Sequence, residues 1–220
     1  MRRADTASGS LPDERPRLRG VSHTWAFVAS IPAGLALLVA ADSAEARLGA
    51  AIFGGAVAAM FGVSALYHRV NWTPHRRRWM RRLDHAAIYG LIAGTYAPFG
   101  LVALDGAWQV GVLATVWGGS LAAFALNLAW REGPKWTAAA TAVGLGWVAI
   151  VAAPELARNA GLAPLLLAVA GGLLYSAGAL VYVLRRPNPV PSHFAYHEVF
   201  HALVTAAVAL QYAAVALVVS

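Results

Sequence analysis

The sequence contains no cysteine and few charged residues, and both shortages restrict what the protein can be. Without cysteine among its 220 residues, disulfide bonds and thiolate metal sites are excluded, which leaves His, Asp and Glu as metal ligands. Charged residues make up 12% of the chain and hydrophobic residues 59%, whereas a soluble domain has roughly 25% and 45–50%. The composition therefore predicts a polytopic protein of the cell membrane.

The beginning of the chain also lacks the apolar stretch of a secretory signal peptide. Residues 1–20 are polar and rich in Arg and Pro, so we expect a cytoplasmic tail without fixed structure. The remainder, residues 21–220, is too uniformly apolar to divide and is predicted to form one membrane domain.

Seven apolar stretches are long enough to cross a bilayer as helices, which takes about 20 residues each. They predict an all-α fold, a bundle of seven transmembrane helices. The predicted spans are residues 25–41, 48–67, 86–104, 107–130, 136–153, 162–184 and 199–219. Gly90 and Gly94 in the third span form a pair of small residues one turn apart, which is typical of close helix packing.

The positive charges indicate how the spans are oriented. All 17 Lys and Arg residues except Arg47 and Arg158 fall in the tail or in the second, fourth and sixth loops. Because such residues concentrate on the cytoplasmic side, the amino terminus is predicted to be cytoplasmic and the carboxyl terminus outside. The run HRRRWMRR, residues 75–82, is a short loop between spans, so we expect it to contact anionic lipid headgroups and predict no nucleic-acid binding.

Ionisable residues are costly inside a membrane, so their positions suggest function. His68 ends the second span, and Asp84 and His85 open the third. The seventh span opens with H-E-x-x-H, in which His197 and His201 share a helix face. The predicted topology brings these residues to one depth, near the cytoplasmic face.

Such a convergence predicts a zinc site. His68, His197 and His201 would supply three nitrogens and leave one coordination position open. Asp84 could be a fourth ligand, directly or through water, or could orient a histidine. Ser64, one turn before His68, could hydrogen-bond a metal-bound water.

The other ionisable residues nearby allow several roles. Glu198 could be the general base for water, as in zinc proteases, or could face headgroups or pair with Arg185 or Arg186. For His85 we favour a packing or hydrogen-bonding role. Three further histidines lie in polar flanks and are expected to be solvated: His23, His75 and His193.

Intramembrane metalloproteases of the site-2 type also carry H-E-x-x-H, with an L-D-G motif supplying the third ligand. Residues 104–106 read LDG, but they precede H-E-x-x-H, whereas in that family they follow it. The predicted topology also places Asp105 across a core of about 30 Å from His197, which no metal bond of about 2 Å can span. The sequence therefore disfavours a protease, and Asp105 is better interpreted as part of an outer turn.

Three segments together resemble the hemolysin III family. They are Ser64 and His68 ending the second span, RRLDHAAIYGLIAGTYAPF at residues 81–99, and HEVFHALV at residues 197–204. This family is the bacterial branch of the progestin and adipoQ receptor superfamily, which includes the adiponectin receptors. The resemblance extends over residues 18–220.

The resemblance implies a seven-helix membrane bundle with a cytoplasmic amino terminus and a zinc ion near the cytoplasmic face. The implied zinc ligands are His68, His197 and His201, with Asp84 beside the zinc-bound water and Ser64 nearby. In the adiponectin receptors Gln stands at the position of Glu198, which weighs against an obligatory base there.

The family is similar to alkaline ceramidases in placing Ser, Asp and three His around zinc in a seven-helix bundle. This likeness implies hydrolysis of a lipid amide or ester, with membrane lipids as partners and a lipid substrate in the bundle. Two alternatives stay open, a non-catalytic sensor or regulator of membrane state with a structural zinc, and a pore-forming haemolytic protein. No oligomeric state is predicted.

Overall fold

The computed structural model describes residues 16–129 and 135–220. Most of the predicted tail, residues 1–15, and residues 130–134, where the fourth span was predicted to end, lie outside the described residues. Within these ranges the chain is almost entirely helical and contains no strand, apart from one isolated β-bridge between Val190 and Phe194. The predicted all-α class is therefore confirmed for the described chain.

Eight α-helices occur in the described ranges. They are α1 Val21–Ala40, α2 Ala44–Arg69, α3 Pro74–Val102, α4 Gly106–Ala129, α5 Lys135–Gly146, α6 Ala153–Asn159, α7 Leu162–Leu184 and α8 Tyr196–Val219. A 3-10 segment, Val148–Ala152, joins α5 to α6.

Six helical segments in the described chain are long and apolar enough to cross a membrane: α1, α2, α4, Trp136–Asn159, α7 and α8. The remaining long helix, α3, has 29 residues and begins with the basic run that we assigned to a loop. This helix therefore starts about three turns before the predicted third span at residue 86. The basic residues form its first turns because Pro74 at the amino end is compatible with a helix start.

The fifth predicted span, residues 136–153, was expected to be one helix, but the structure breaks it at Trp147. The Tyr96 hydroxyl of α3 reaches into the break, where it donates to Gly146 O at 2.8 Å and accepts from Ala149 N at 2.9 Å. Freed backbone groups in an apolar region need such replacement partners. The break is therefore satisfied by a side chain that the sequence pattern could not reveal.

Helix α8 lies against several neighbours and forms part of the interior of the bundle. It packs on α7 and contacts α1, α2 and α3. Besides Glu198 and Val219, its buried side chains follow the three- and four-residue repeat of one helix face: His201, Val204, Ala207, Val208, Gln211, Ala214, Val215 and Val218. The H-E-x-x-H motif therefore begins a helix whose motif-bearing face points inward.

Close approach of α2 and α3 depends on glycine. A Cβ at Gly94 would lie 2.3 Å from Ala56 Cβ, and a Cβ at Gly49 would lie 2.7 Å from Pro98 Cα. Gly90, by contrast, has no atom within 4 Å of a Cβ position. Only Gly94 of the predicted small-residue pair therefore makes a close helix contact.

This difference gives a packing prediction. Gly94→Ala should lower the free energy of unfolding by about 1–3 kcal/mol, because α2 and α3 must move apart to admit the methyl group. Gly90→Ala is the matched control and should be as stable as the wild type or more stable by up to about 1 kcal/mol, because alanine favours the helix. Thermal unfolding of the purified variants in detergent measures both, and equal stability of the two variants would contradict the contact.

Candidate metal centre

Three histidines from α2 and α8 meet where α2 ends and α8 begins. One ring nitrogen from each of His68, His197 and His201 lies within 4.8 Å of the other two. His197 and His201 are neighbours because they are four residues apart on α8, and their ring centroids are 4.5 Å apart. His68 joins them from α2, with its Nε2 3.2 Å from His197 Nε2. The structure thus assembles the three side chains that the sequence singled out.

The donor set suits a tetrahedral metal ion. Imidazole nitrogens about 2.0–2.1 Å from a tetrahedral zinc are roughly 3.3 Å apart, close to the observed 3.2 Å between His68 and His197. His201 Nδ1 is buried and has no hydrogen-bond partner among the described residues. Three imidazoles are a donor set typical of zinc and of several other divalent first-row ions. The cluster could therefore hold a metal ion.

Asp84 and Ser64 lie beside this triad. Asp84 Oδ2 is 3.9 Å from His68 Nε2 and 3.7 Å from His85 Nδ1. Ser64 lies one turn before His68 and its hydroxyl is 2.8 Å from His23 Nδ1. Both residues line the same cavity as His197 and His201. A carboxyl and a hydroxyl group therefore face the space next to the three imidazoles.

His23 was expected to be solvated, and that expectation is wrong. Its side chain is 2% exposed, and its ring stacks on His201 with centroids 3.8 Å apart and planes 4° apart. The predicted first span began at residue 25, whereas α1 begins at Val21 and includes His23. Seven-residue spacing to the buried Ser30 and Leu37 is the signal that marks the inner face of α1.

The remaining histidines lie as expected. His75 and His193 are exposed, which agrees with their assignment to polar flanks. His85 has hydrogen-bonding contacts with Arg81 O at 2.8 Å and with the Tyr182 hydroxyl at 2.9 Å. Its predicted hydrogen-bonding role is confirmed.

Glu198 pairs with none of the residues that the sequence offered. Its carboxylate forms an ion pair with Arg19, and its Oε2 accepts a hydrogen bond from Ala195 N at 2.9 Å. The side chain is 3% exposed, so it does not face lipid headgroups, and neither Arg185 nor Arg186 is its partner. Both oxygens are thus occupied away from the cavity, which Glu198 does not line.

Arg19 belongs to a short segment that crosses this end of the bundle. Arg17 N donates to Ser192 O at 3.1 Å, and Leu18 N donates to His193 O at 3.2 Å. Gly20 has a φ of 78°, and a Cβ there would lie 2.6 Å from His68 Cβ. Residues 16–20, assigned by sequence to the tail, therefore have fixed contacts beside the histidine cluster.

The histidine cluster opens onto a cavity of about 210 Å³ inside the bundle. Aromatic and aliphatic side chains from α3, α5, α7 and α8 form most of its wall, including Ile92, Phe99, Val143, Leu165, Tyr175 and Val204. The cavity runs along α8 from His197 to Gln211, a rise of about 21 Å. The centre therefore combines a polar end with a long apolar space.

The L-D-G motif lies at the other end of the bundle. Asp105 is exposed and follows the carboxyl end of α3, whereas Asp84 lies about three turns from its amino end. Residues 84 to 102 alone rise by about 27 Å along the helix. Asp105 therefore cannot join the histidine triad.

These features define a helical membrane protein with a histidine triad at one end of an apolar cavity. The chain matches a family model described as haemolysin-III related over residues 13–212. It is 31% identical over 168 residues to hemolysin-3 of Bacillus cereus, covering 74% of this chain and 75% of that protein. It is 29% identical over 189 residues to a hemolysin-3 homolog of Bacillus subtilis strain 168, covering 84% of each. The chain belongs to the hemolysin III family and is a multi-pass protein of the cell membrane.

The Glu198 contacts give a stability prediction. Glu198→Ala should lower the free energy of unfolding by about 3 kcal/mol, because Arg19 loses a buried partner and Ala195 N its acceptor. Thermal unfolding in detergent measures the change.

Glu155→Ala is the control, since it removes an ion pair within α6 whose Arg158 side chain is 69% exposed. Exposed pairs add little, so this variant should unfold like the wild type. A Glu198→Ala protein of unchanged stability would show that the carboxylate is not an anchor.

Proposed function

We propose that this protein is a zinc-dependent hydrolase that cleaves an amide or ester bond of a lipid held in the cavity. The observation that carries the proposal is the juxtaposition of His68, His197 and His201 with Asp84 and Ser64 at one end of a long apolar space. A metal ion, a carboxyl group and a hydroxyl group are what a metal-assisted hydrolytic site requires. The apolar wall of the cavity suits a lipid chain.

The proposed setting is a bundle of seven spans, namely the six long apolar segments of the described chain and α3. From Asp84 onward α3 is apolar and rises about 27 Å to Val102, close to the thickness of the hydrocarbon core of about 30 Å. The basic turns of α3 lie at the end of the bundle that holds the histidine cluster. The positive-inside rule then makes this the cytoplasmic end, with the carboxyl terminus outside.

The metal site is proposed to be open. A structural zinc site is closed by four protein ligands, whereas a catalytic site has three and leaves a position for water or substrate. Here His197 and His201 line the cavity, and Asp84 Oδ2, also at the cavity, is 3.9 Å from Nε2 of the third histidine, His68. This arrangement favours catalysis over a purely structural metal.

Zinc held there would supply a Lewis acid and make water nucleophilic at neutral pH. Asp84 is proposed to accept the proton that the attacking water loses, since its carboxyl lies next to His68. Ser64 would donate a hydrogen bond to the carbonyl oxygen as negative charge develops on it. The water oxygen bonds to the carbonyl carbon, the carbon–nitrogen or carbon–oxygen bond breaks, and Asp84 returns the proton to the leaving amine or alcohol.

His23 is proposed to position this machinery. Its ring supports His201 by stacking, and its Nδ1 lies within hydrogen-bonding distance of the Ser64 hydroxyl. Groups that orient metal ligands commonly alter metal affinity by 10–100-fold when they are removed. His23 therefore links the metal ligands to the hydroxyl group.

The deeper part of the cavity weighs against a pore. Beyond the histidine end, the lining residues include no Asp, Glu, Lys or Arg in the described chain. Ion pathways in membranes are usually marked by ionisable or charged groups. An apolar interior of this kind suits a lipid chain better than an ion.

The first prediction of this proposal concerns metal content. Purified wild-type protein should contain about one zinc per chain, His201→Ala should contain almost none, and His23→Ala should bind zinc with roughly 10-fold lower affinity. Elemental analysis and competition with a chelator measure these values. His75→Ala, which changes an exposed histidine, should match the wild type, and equal zinc in wild type and His201→Ala would exclude the site.

The second prediction separates a hydrolase from a regulator. Asp84→Asn should keep its zinc and its thermal stability but release fatty acid from lipid amides or esters at least roughly 100-fold more slowly. Purified protein in vesicles of extracted membrane lipid gives the rate, and lipidomics of cells gives the accumulated substrate.

Asp105→Asn, at the other end of the bundle, is the matched control and should behave as wild type. Identical amide, ester and fatty-acid pools in wild-type and Asp84→Asn cells would favour the non-catalytic regulator.

A further inference from the structure

The cavity also contains polar atoms far from the histidine cluster. Two buried oxygens without a hydrogen-bond partner in the described part of the chain are Tyr175 Oη and Gln211 Oε1, and both residues line this cavity. Gln211 is 6% exposed and follows His201 by ten residues on α8, about 15 Å deeper. Neither oxygen has a role in the proposed hydrolysis.

The Gln211 amide is held in one orientation. Its Nε2 donates to Ala168 O at 3.0 Å, and only the amide nitrogen can donate, so the oxygen is the atom left over. Gly171 makes room for this contact, since a Cβ there would lie 2.7 Å from Gln211 Nε2. The amide oxygen is therefore a fixed and unused acceptor.

Tyr175 lies one turn from Gly171 on α7. Helices α7 and α8 run antiparallel: Tyr182 contacts Phe200 at the metal end, with ring centroids 5.3 Å apart, and Gly171 faces Gln211 farther in. Side chains in a helix lean towards its amino end. The Tyr175 side chain therefore extends from its own Cα towards the turn of α7 that contains Gly171. The two unused oxygens therefore share one stretch of the α7–α8 contact.

We propose that Tyr175 and Gln211 form a subsite that selects lipid chains carrying a hydroxyl group part-way along their length. A chain hydroxyl can accept from the Tyr175 hydroxyl and donate to Gln211 Oε1, so one group satisfies both atoms. A methylene group at the same place leaves both oxygens unpaired in apolar surroundings, which costs free energy. The inference rests on the proposed function in taking a lipid as the occupant of the cavity.

The test is competitive binding to the purified, zinc-loaded protein in detergent. The probes are straight-chain fatty acids with one hydroxyl at successive positions and the same chain without a hydroxyl, each displacing a fluorescent fatty acid. One group of neighbouring positional isomers should bind about 3- to 10-fold more tightly than the plain chain, the range expected for one or two net hydrogen bonds.

Two variants assign the preference to these side chains. Tyr175→Phe and Gln211→Leu preserve the side-chain size, and each should remove most of the preference while binding the plain chain at least as tightly as wild type. Ser120→Ala is the matched control, because Ser120 Oγ is also buried without a partner in the described chain but does not line the cavity. Thermal unfolding identifies any variant that fails to fold.

The outcomes separate this inference from the proposed function. Equal affinity for plain and hydroxylated chains, or a preference that survives in both variants, overturns the subsite while leaving lipid binding in place. Failure of every chain to bind overturns the subsite together with the proposal that a lipid occupies the cavity. Zinc content and Asp84-dependent turnover are measured separately and do not depend on the hydroxyl preference.

Discussion

The architecture of one end of this protein depends on burying four imidazole rings inside an apolar bundle. A polar group without a partner in apolar surroundings costs several kcal/mol, so the helices that meet there must bring complementary groups. His23 of α1 lies within hydrogen-bonding distance of Ser64 of α2 and stacks on His201 of α8. Asp84 of α3 lies beside His68. These contacts fix how the four helices are placed relative to one another at this end.

The same requirement explains why the histidine end of the cavity is polar while the rest of its wall is apolar. Polar side chains are concentrated within two turns of the histidines, where Ser64 contacts His23 and Asp84 lies beside His68, while His201 Nδ1 has no hydrogen-bond partner in the described chain. Farther along α8 the wall becomes aliphatic and aromatic, and Tyr96 is used to close the break between α5 and the 3-10 segment. Away from the histidine end, the cavity-lining polar atoms without a partner in the described chain are those of Tyr175 and Gln211, and they differ from the aliphatic and aromatic groups around them.

The triad could be predicted from sequence because two simple rules act on it. Four-residue spacing places His197 and His201 on one helix face, and the lengths and charges of the spans bring His68 to the same end. The burial of His23 was not predicted, because an apolar window places the start of a helix too late when its first turn contains polar residues. The ion pair between Glu198 and Arg19 was not predicted for a different reason. Arg19 is 179 positions away from Glu198, and no local pattern links the two. Likewise, only the packed bundle distinguishes Gly94, which contacts α2, from Gly90, which does not.

The H-E-x-x-H motif shows how much a short pattern determines. Its spacing fixes the separation of two histidines on a helix, and His197 and His201 are indeed neighbours on α8. The glutamate of the motif, Glu198, is turned about 100° from His197 around the helix. Its role therefore depends on what packs against that side of the helix. Here that side carries Arg19 and the backbone of Ala195, and the carboxylate joins the segment before α1 to the start of α8. The same five letters can therefore bring two histidines together without directing the glutamate towards them, and the carboxyl group beside the triad comes instead from Asp84 on α3.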